Sequence, residues 1–315
     1  MKIGIVGSGM VGSTAAYAML MSGIGREIIL VDKNRERAEA EAFDLNHAVP
    51  FAHPLRVYPG RYADLRNSRL VVIAAGVSQK PGESRLDLLK RNALVFSEII
   101  GEVLDSAPDT ILLIATNPLD IMTSLADYYA RKKGIGPGRV FGTGTMLDTA
   151  RFRSLLSEHT GVDSRHIHAY VLGEHGDSEV LTWSRVTVGG MKLDDFCSFN
   201  NIEMGPDKKA ELDSIVRNAA YAIIRGKGAT YYGIGSALAR LADVILHDQR
   251  AILTVSAPFS NANEGLSISM SMPHIVSGSG IINSIPLQLN KDEEELLKKS
   301  REVIASALNE LREYL

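Results

Sequence analysis

Several features that mark particular classes of protein are scarce in this 315-residue sequence. Cys197 is the only cysteine, which argues against a disulfide framework and a thiolate metal cluster, so we expect no metal site. No run of about 18 apolar residues occurs, so we expect no membrane-spanning helix. The first residues lead directly into an apolar strand pattern. We therefore expect no signal peptide and a cytoplasmic location.

An excess of charge of one sign is also absent. The sequence has 34 lysine and arginine residues against 37 acidic residues, and the two signs are interspersed. This balance argues against a nucleic-acid-binding surface and against a basic face for membranes. What the chain does have is length and a hydrophobic content of 45%, which suffice for a large core in about two domains of ordinary size.

Residues 1–32 contain the strongest local pattern, which predicts a strand, a glycine turn, a helix and a second strand. Gly7, Gly9 and Gly12 have the G-x-G-x-x-G spacing. We expect Gly7 to permit a tight turn, Gly9 to let the backbone approach a pyrophosphate, and Gly12 to let the helix pack closely on the sheet. Asp32 then follows at a distance that suits a carboxylate accepting both hydroxyls of an adenosine ribose. The pattern predicts a dinucleotide site, with a purely structural glycine turn as the alternative.

Two further buried parallel strands are predicted to end at Gly76 and just before Asn117. Ligands of open α/β sheets bind beyond the carboxyl ends of such strands, which places Gly76, Val77 and Asn117 near the cofactor. The polar segment 78–85 runs into a helical pattern and could close over substrate as a lid. Arg85 stands at the junction of loop and helix, where an ordinary surface arginine is the alternative.

Charged residues later in the chain form a second group of candidates. Asp148 and Arg151 are three residues apart on a predicted helix and share a face, whereas Arg153 points elsewhere. A surface ion pair is the alternative for the first two. His175 lies between two glycines with acids on either side, a context that favours a catalytic histidine over a core one. Arg37 would lie near the adenine end of a dinucleotide, or be a solvated surface charge.

Strands and helices alternate up to about residue 141, and their order is mixed afterwards. This order predicts an α/β fold: an N-terminal Rossmann domain with a doubly wound parallel sheet over residues 1–141, followed by an α+β catalytic or substrate domain over residues 142–315. Within the second part, residues 167–172 are predicted as one strand. Asn290 and Glu293 are predicted to form the capping box of a final helix.

Five motifs follow one another along the chain. They are Gly7-Ser8-Gly9-Met10-Val11-Gly12, Gln79-Lys80-Pro81-Gly82-Glu83-Ser84-Arg85, Thr116-Asn117-Pro118, Asp148-Thr149-Ala150-Arg151-Phe152-Arg153 and Gly173-Glu174-His175-Gly176-Asp177. With them the chain resembles, along nearly its whole length, the L-lactate dehydrogenases of the lactate/malate dehydrogenase superfamily. The resemblance implies an NAD-dependent oxidoreductase that reversibly reduces pyruvate to L-lactate.

The resemblance also assigns roles, and these overrule the alternatives given above for Arg85 and for the Asp148–Arg151 pair. His175 would be the proton donor and acceptor, and Asp148 would orient it. Arg151 would bind the substrate carboxylate through two parallel hydrogen bonds, and Arg85 would polarise the ketone. Asn117 would hold the substrate and the reactive end of the cofactor.

Further residues of the expected site border the substrate or the cofactor. Thr230 would border the substrate pocket, and Ile234 would pack on the nicotinamide ring. The residues expected to bind NAD are Gly7, Gly9, Val11, Gly12, Asp32, Arg37, Gly76, Val77, Thr116, Asn117 and Ile234.

Gln79 distinguishes lactate from malate as the substrate within this superfamily. The malate enzymes carry arginine at the matching loop position, where it pairs with a second carboxylate. A neutral glutamine would leave that carboxylate buried without a partner, so Gln79 favours pyruvate. Malate dehydrogenase, or another 2-hydroxy acid dehydrogenase, is the alternative. A non-catalytic dinucleotide-binding sensor is disfavoured because His175, Asp148 and Arg151 are all present.

A second ligand site is implied by the same resemblance. Bacterial members that respond to fructose 1,6-bisphosphate bind phosphate at a subunit interface through an arginine and a histidine. Arg153 and His168 match these two residues. The alternative is that both are ordinary surface or interface residues. The resemblance further implies a homotetramer, allosteric control and a place in glycolysis and fermentation to lactate.

Overall fold

The computed structural model describes residues 1–77, 82–259 and 265–312, and for Arg85 the backbone alone. The strands are β1 (Lys2–Val6), β2 (Glu27–Val31), β3 (Arg56–Pro59), β4 (Leu70–Ile73), β5 (Ile111–Ile114), β6 (Val140–Gly142), β7 (Ile167–His168), β8 (Val171–Leu172), β9 (Val180–Leu181), β10 (Thr187–Val188), β11 (Met191–Lys192), β12 (Ala251–Pro258), β13 (Ser269–Ser277) and β14 (Gly280–Ser284). The α-helices are α1 (Met10–Met21), α2 (Arg35–Ala48), α3 (Arg85–Ser106), α4 (Leu119–Lys132), α5 (Met146–Thr160), α6 (Leu193–Phe199), α7 (Pro206–Lys227), α8 (Tyr232–Leu246) and α9 (Lys291–Arg312). Short 3₁₀ turns lie at Val49–Phe51, Tyr62–Leu65, Ser164–His166 and Trp183–Arg185.

Nine of the described strands form one sheet in the order β14-β13-β12-β6-β5-β4-β1-β2-β3. The six strands β6-β5-β4-β1-β2-β3 at one end of this order pair in parallel, and their order is that of a Rossmann fold. The parallel sheet predicted from the sequence is thus confirmed. The order reverses between β1 and β4, and a crevice at such a switch point is where these sheets bind ligands. Strands β12 to β14 continue the sheet in antiparallel fashion, beginning with the pairing of Ser256 and Gly142.

The sheet is buried on both faces, which explains why its strands have continuous apolar sequences. All four residues of β4 are buried, as are all four of β5. One core cluster includes Phe96 of α3, Leu125 of α4 and Ile304 of α9. The other includes Met19 of α1 and Leu241 of α8. Each fully buried side chain of this size stabilises the fold by about 1.5–3 kcal/mol.

A third apolar cluster lies in the second half of the chain. It joins Phe152 of α5 to Cys197 of α6 and Leu212 of α7, and Trp183 packs edge-on against Phe152. The predicted capping box at the start of α9 is confirmed, because the side chains of Asn290 and Glu293 each accept the other's backbone N–H, at 2.9 and 3.2 Å. Among the described helices, none combines the length and the apolar character needed to cross a membrane.

The prediction of a single strand over residues 167–172 is wrong. Ile167–His168 pairs with β10, whereas Val171–Leu172 pairs with β9, so the chain changes sheets between the two. Thr182 holds this change of direction, because its hydroxyl donates to the carbonyl oxygen of Tyr170 at 2.8 Å. An apolar sequence pattern records burial but not the partner strand. The break carries the chain to Gly173, which pairs with Ser271 of β13.

Candidate active site

The glycine turn between β1 and α1 has the geometry predicted for two of its three glycines. Gly7 has a φ of +97°, and a Cβ there would stand 2.6 Å from the backbone nitrogen of Ala75. At Gly12 a Cβ would stand 1.9 Å from the carbonyl oxygen of Gly7, so close packing of helix on turn requires glycine. At Gly9 a Cβ would meet no described atom within 4 Å. Glycine at this position therefore leaves room for a ligand rather than for the protein itself.

Asp32 is held rigidly at the carboxyl end of β2. Its Oδ2 accepts the backbone N–H and the hydroxyl of Ser8 at 2.8 and 3.0 Å, and its Oδ1 accepts the N–H of Asn34 at 2.9 Å. Asp32 also lines a cavity of about 200 Å³ together with Pro59 and Gly60. This cavity and the open space at Gly9 fit a dinucleotide that runs along the first turn.

The neighbouring strand ends meet as the topology requires. Gly76 and Val77 follow β4, while Thr116 and Asn117 follow β5. A Cβ on Gly76 would stand 2.7 Å from Thr116 Cγ2, so the two strand ends touch. The N–H of Val77 donates to the buried side chain of Asn92 on α3 at 3.1 Å. Asn117 is exposed at this edge, where its amide can reach a ligand.

Helix α5 brings Asp148 and Arg151 onto one face, and His175 meets them there. Asp148 Oδ1 accepts from Arg151 Nη1 at 2.7 Å, and Asp148 Oδ2 lies 2.6 Å from His175 Nδ1. The Asp148 side chain is 3% exposed and that of His175 is 26% exposed. A buried carboxylate that joins a cation to a solvent-accessible imidazole is not an ordinary surface ion pair, and the second ring nitrogen of His175 remains for a substrate.

The electrostatics of this pair favour the imidazolium. Burial lowers the pKa of His175, but the negative charge of Asp148, its hydrogen bond and the charge of Asp120 outweigh burial and raise the pKa to about 9. Burial raises the pKa of the Asp148 carboxyl, yet the charge of His175, its hydrogen bond and Arg151 outweigh burial, so the pKa lies below its ordinary value. The buried carboxylate therefore stabilises the protonated ring of His175.

The segment of residues 173–179, which carries His175, is held by contacts that the sequence did not reveal. The backbone N–H of His175 donates to Asp120 Oδ2 at 2.7 Å. The N–H of Glu174 donates to the hydroxyl of Ser300 on α9 at 2.8 Å. Arg217 on α7 donates to the carbonyl oxygens of Asp177 and Glu179 at 3.0 and 2.6 Å. Three helices thus fix the main chain around the imidazole.

Asp120 and Glu179 are the acidic residues near the site that sequence analysis did not select. Asp120 could have been noticed, since it lies three residues after Asn117 in the first turn of a helix. Glu179 gives no such signal. It is 4% exposed, and its Oε1 has no hydrogen-bond partner among the described residues. Burial and the neighbouring Asp148 raise the pKa of Glu179 to about 8.

The start of helix α8 lies close to both α1 and α5. A Cβ on Gly233 would stand 2.9 Å from Leu147 Cδ1 of α5, and one on Gly235 would stand 2.7 Å from Thr14 Cγ2 of α1. Ile234 stands between these two glycines and is partly buried, whereas Thr230 precedes the helix and lines a cavity with Gly226 and Lys227 at the end of α7. Their roles beside the substrate and the nicotinamide ring stay predictions.

Four other predicted site residues lie outside this cluster or outside the described part of the chain. Gln79 lies outside the described residues, and so does the side chain of Arg85, although α3 does begin at Arg85 as the sequence predicts. Arg37 is exposed, with its Nε 4.0 Å from Glu41 Oε1. Arg153 points away from the Asp148 face, and its Nε donates to the carbonyl oxygen of Ala169 at 3.0 Å.

His168 is exposed on β7, next in sequence to the residue whose carbonyl binds Arg153. The guanidinium of Arg153 also stacks on the ring of Tyr170, with 5.4 Å between the guanidinium carbon and the ring centroid. Arg153 and His168 are thus placed in one neighbourhood, away from the Asp148 and His175 pair. An effector role for this neighbourhood stays a prediction.

Comparison with known proteins gives one family for both halves of the chain. The family described as "lactate/malate dehydrogenase, NAD binding domain" matches residues 1–142, and "lactate/malate dehydrogenase, alpha/beta C-terminal domain" matches residues 145–314. An L-lactate dehydrogenase of Geotalea daltonii is 53% identical over 99% of each chain, and one of Thermus aquaticus is 49% identical over the same shares. The crystal structure of the minor L-lactate dehydrogenase of Enterococcus mundtii has a TM-score of 0.93 at 39% identity, over 99% of this chain and 98% of that one. The fold and the similarity over nearly the full length indicate the same family, and the buried cluster of Asp148, His175 and Arg151 is consistent with it. This chain belongs to the lactate/malate dehydrogenase family.

Proposed function

We propose that this protein is an L-lactate dehydrogenase that reduces pyruvate to L-lactate with NADH. The observation that carries the proposal is the contact of 2.6 Å between His175 Nδ1 and the buried Asp148, with Arg151 on the same carboxylate. A carbonyl reduction needs a proton at the oxygen, and a substrate carboxylate needs a fixed cation. This cluster offers both, because His175 and Arg151 contact the same carboxylate.

Bound NADH supplies the hydride, and the residues of this chain supply binding, orientation and the proton. The charged His175 donates its proton from Nε2 to the substrate oxygen, while Asp148 keeps the proton on Nδ1 and stabilises the imidazolium. Arg151 has five N–H donors, of which one binds Asp148, so others can hold the substrate carboxylate in a bidentate pair. In the reverse direction the neutral imidazole takes the proton back.

The remaining site residues complete this proposal. Arg85 would polarise the ketone when the adjoining loop closes, and Asn117 would hold the substrate at the edge of the sheet. Thr230 would border the substrate methyl group. The neutral side chain of Gln79 would pack beside that methyl group, whereas a second carboxylate there would be buried without a charged partner. We therefore expect pyruvate to be preferred over oxaloacetate.

The NAD-binding residues named from the sequence form the second part of the proposal. Gly7, Gly9 and Gly12 would admit the pyrophosphate to the N-terminus of α1, where backbone N–H groups and the helix dipole favour an anion. Asp32 would accept the ribose hydroxyls and repel a 2′-phosphate. We also propose the division into residues 1–141 for NAD binding and 142–315 for the substrate, with Ile234 of the second part packing on the nicotinamide.

Assembly and control are further proposals that rest on the resemblance. A homotetramer would explain large apolar side chains that stand exposed on one chain, such as Tyr17, Met21 and Tyr232. Fructose 1,6-bisphosphate would bind at a subunit interface through Arg153 and His168. A cytoplasmic enzyme of glycolysis and lactate fermentation fits this control.

The test is the steady-state oxidation of NADH with pyruvate and with oxaloacetate, and the oxidation of NADPH with pyruvate. We expect kcat/KM to be highest for the pair of NADH and pyruvate. Higher kcat/KM with oxaloacetate would make the protein a malate dehydrogenase, and equal use of NADPH would contradict the role of Asp32. No turnover with either substrate, in protein that binds NADH, would favour a dinucleotide sensor.

A further inference from the structure

Asp120 is the buried carboxylate of the site that has no role in the proposed chemistry. Asp120 lies in the first turn of α4 and is 3% exposed. Both of its carboxylate oxygens are engaged. Oδ2 accepts the backbone N–H of His175 at 2.7 Å, and Oδ1 accepts the hydroxyl of Ser256 on β12 at 2.6 Å. A carboxylate buried to this extent is costly unless its partners are fixed, so the two contacts define one geometry.

The position of Asp120 connects parts of the site that are distant in sequence. It follows Asn117 by three residues, at the carboxyl end of β5, and Ser256 belongs to the strand that pairs with β6. Its contact to His175 spans 55 residues of chain. Movement of the 173–179 segment would therefore break a charge-assisted hydrogen bond inside the protein, which costs more than losing one at the surface.

We propose that Asp120 is a positioning residue for the proton donor: it fixes the main chain of His175 relative to the edge of the sheet and, with Asp148, keeps the imidazole positively charged. The inference rests on the proposed function, since it assumes that His175 donates the proton. Asp148 holds the ring, whereas Asp120 holds the backbone from which the ring projects. A general acid that is displaced by about 1 Å can lose about 100-fold in rate, which explains why both ends of the residue would be held.

The charged groups around this centre come from four parts of the chain. They are Asp120 on α4, Glu174 and Glu179 in the 173–179 segment, Asp148 and Arg151 on α5, and Arg217 on α7. Burial raises the pKa of Asp120 to about 6, while the hydrogen bonds from Ser256 and from the His175 backbone oppose that rise. Asp120 is thus ionised at neutral pH, and its charge acts on the imidazole.

Two substitutions separate the hydrogen bonds from the charge. In Asp120→Asn, the amide oxygen can still accept the His175 N–H, and the amide NH₂ can donate to Ser256, whose hydroxyl then acts as the acceptor. This variant should keep the geometry and lose only the charge. In Asp120→Ala, the charge and both hydrogen bonds are lost. Asp127→Asn is the matched control, because Asp127 is also buried on α4 but pairs with Arg131 and does not face His175.

The first measurement is the pH dependence of kcat/KM for pyruvate. Asp120→Asn should move the alkaline decrease to lower pH by about one unit, as expected for the loss of one nearby opposite charge, so that activity above this decrease falls by about tenfold. Asp120→Ala should show the same movement and, in addition, at least about tenfold lower kcat/KM at neutral pH. The control should leave the position of the decrease unchanged.

The second measurement does not use activity. In protein with isotope-labelled histidine and no cofactor, the NMR titration of His175, identified by its absence in His175→Asn, should shift to lower pH in Asp120→Asn but not in Asp127→Asn. Asp120→Asn decides the role of the charge and Asp120→Ala decides the positioning; should Asp120→Ala fail to fold, Asp120→Ser, whose shorter side chain cannot reach both partners, replaces it with the same expected loss at neutral pH. An unchanged pH profile and an unchanged titration in Asp120→Asn would overturn the inference, whereas an inactive wild type would instead contradict the proposed function.

Discussion

Replacement of Asp148 by asparagine tests the centre of the site. Asp148 is the nearest anion to His175, with 2.6 Å between Oδ2 and Nδ1, and its charge is the first of the causes that raise the pKa of His175 to about 9. Without that charge, burial should bring the pKa to about 6.5 or lower, the ordinary value for histidine. At about pH 7.5 the protonated fraction would fall from nearly all to roughly a tenth, which is a loss of about tenfold in pyruvate reduction.

A second loss should add to this one. Asparagine can present its NH₂ to Nδ1 and select the wrong tautomer, and Arg151 loses its anionic partner, so the orientation of His175 and of the substrate both suffer. The two losses differ in pH dependence. The protonation loss disappears below about pH 6, while the orientation loss remains at every pH.

The assay is kcat/KM for pyruvate with saturating NADH between about pH 5.5 and 9.5, for wild type and Asp148→Asn. The ratio of wild type to variant should be about tenfold smaller at pH 5.5 than at pH 7.5. Asp243→Asn is a suitable control, because Asp243 pairs with His247 at a similar 2.8 Å but outside the site. A ratio that is constant with pH would refute the view that Asp148 keeps the imidazole charged.

Four other outcomes follow from the same account. Gln79→Arg should move the ratio of kcat/KM for oxaloacetate to that for pyruvate by at least about 100-fold towards oxaloacetate, since a buried charge pair is typically worth about 2–5 kcal/mol; an unchanged ratio would contradict the assignment. Arg153→Gln should abolish the change in activity on adding fructose 1,6-bisphosphate, and an equal response in variant and wild type would exclude this site. Asp32→Ser should raise kcat/KM with NADPH relative to NADH, and an unchanged preference would count against Asp32. The pKa of Glu179 is raised from its ordinary 4.5 to about 8, so the folded state holds a proton that the unfolded chain has lost, and stability falls as pH rises through this window. The melting temperature of Glu179→Gln relative to that of wild type should therefore rise from pH 5 to pH 8. A difference between the two melting temperatures that is constant with pH would be evidence against this effect.

The sequence allowed the parallel sheet and much of the candidate site to be predicted because their signals are local. The tight turn at Gly7 and the packing at Gly12 follow from spacing alone, and the structure has both. The shared face of Asp148 and Arg151 follows from helical periodicity, and their contact of 2.7 Å confirms it. That His175 meets this face could not be derived from spacing. It depended on the resemblance, since 27 residues separate the two partners.

What could not be predicted depends on tertiary contacts. Asp120 reaches His175 only because α4 begins beside the 173–179 segment, and no sequence period links the two. Glu179 is buried at the site although a glutamate in a polar stretch suggests exposure. The division of residues 167–172 into two strands was missed for a related reason: each half pairs with a different later part of the chain.

The pH dependence of kcat/KM for pyruvate in the wild-type enzyme tests the central claim most directly, because that claim is a proton held on His175 by the carboxylates around it. With saturating NADH, kcat/KM should be constant through neutral pH and fall about tenfold per pH unit above a pKa of about 9. His175→Asn should lose at least about 100-fold in activity while still binding NADH. A wild-type decrease centred near the ordinary histidine pKa of about 6.5 would contradict the account.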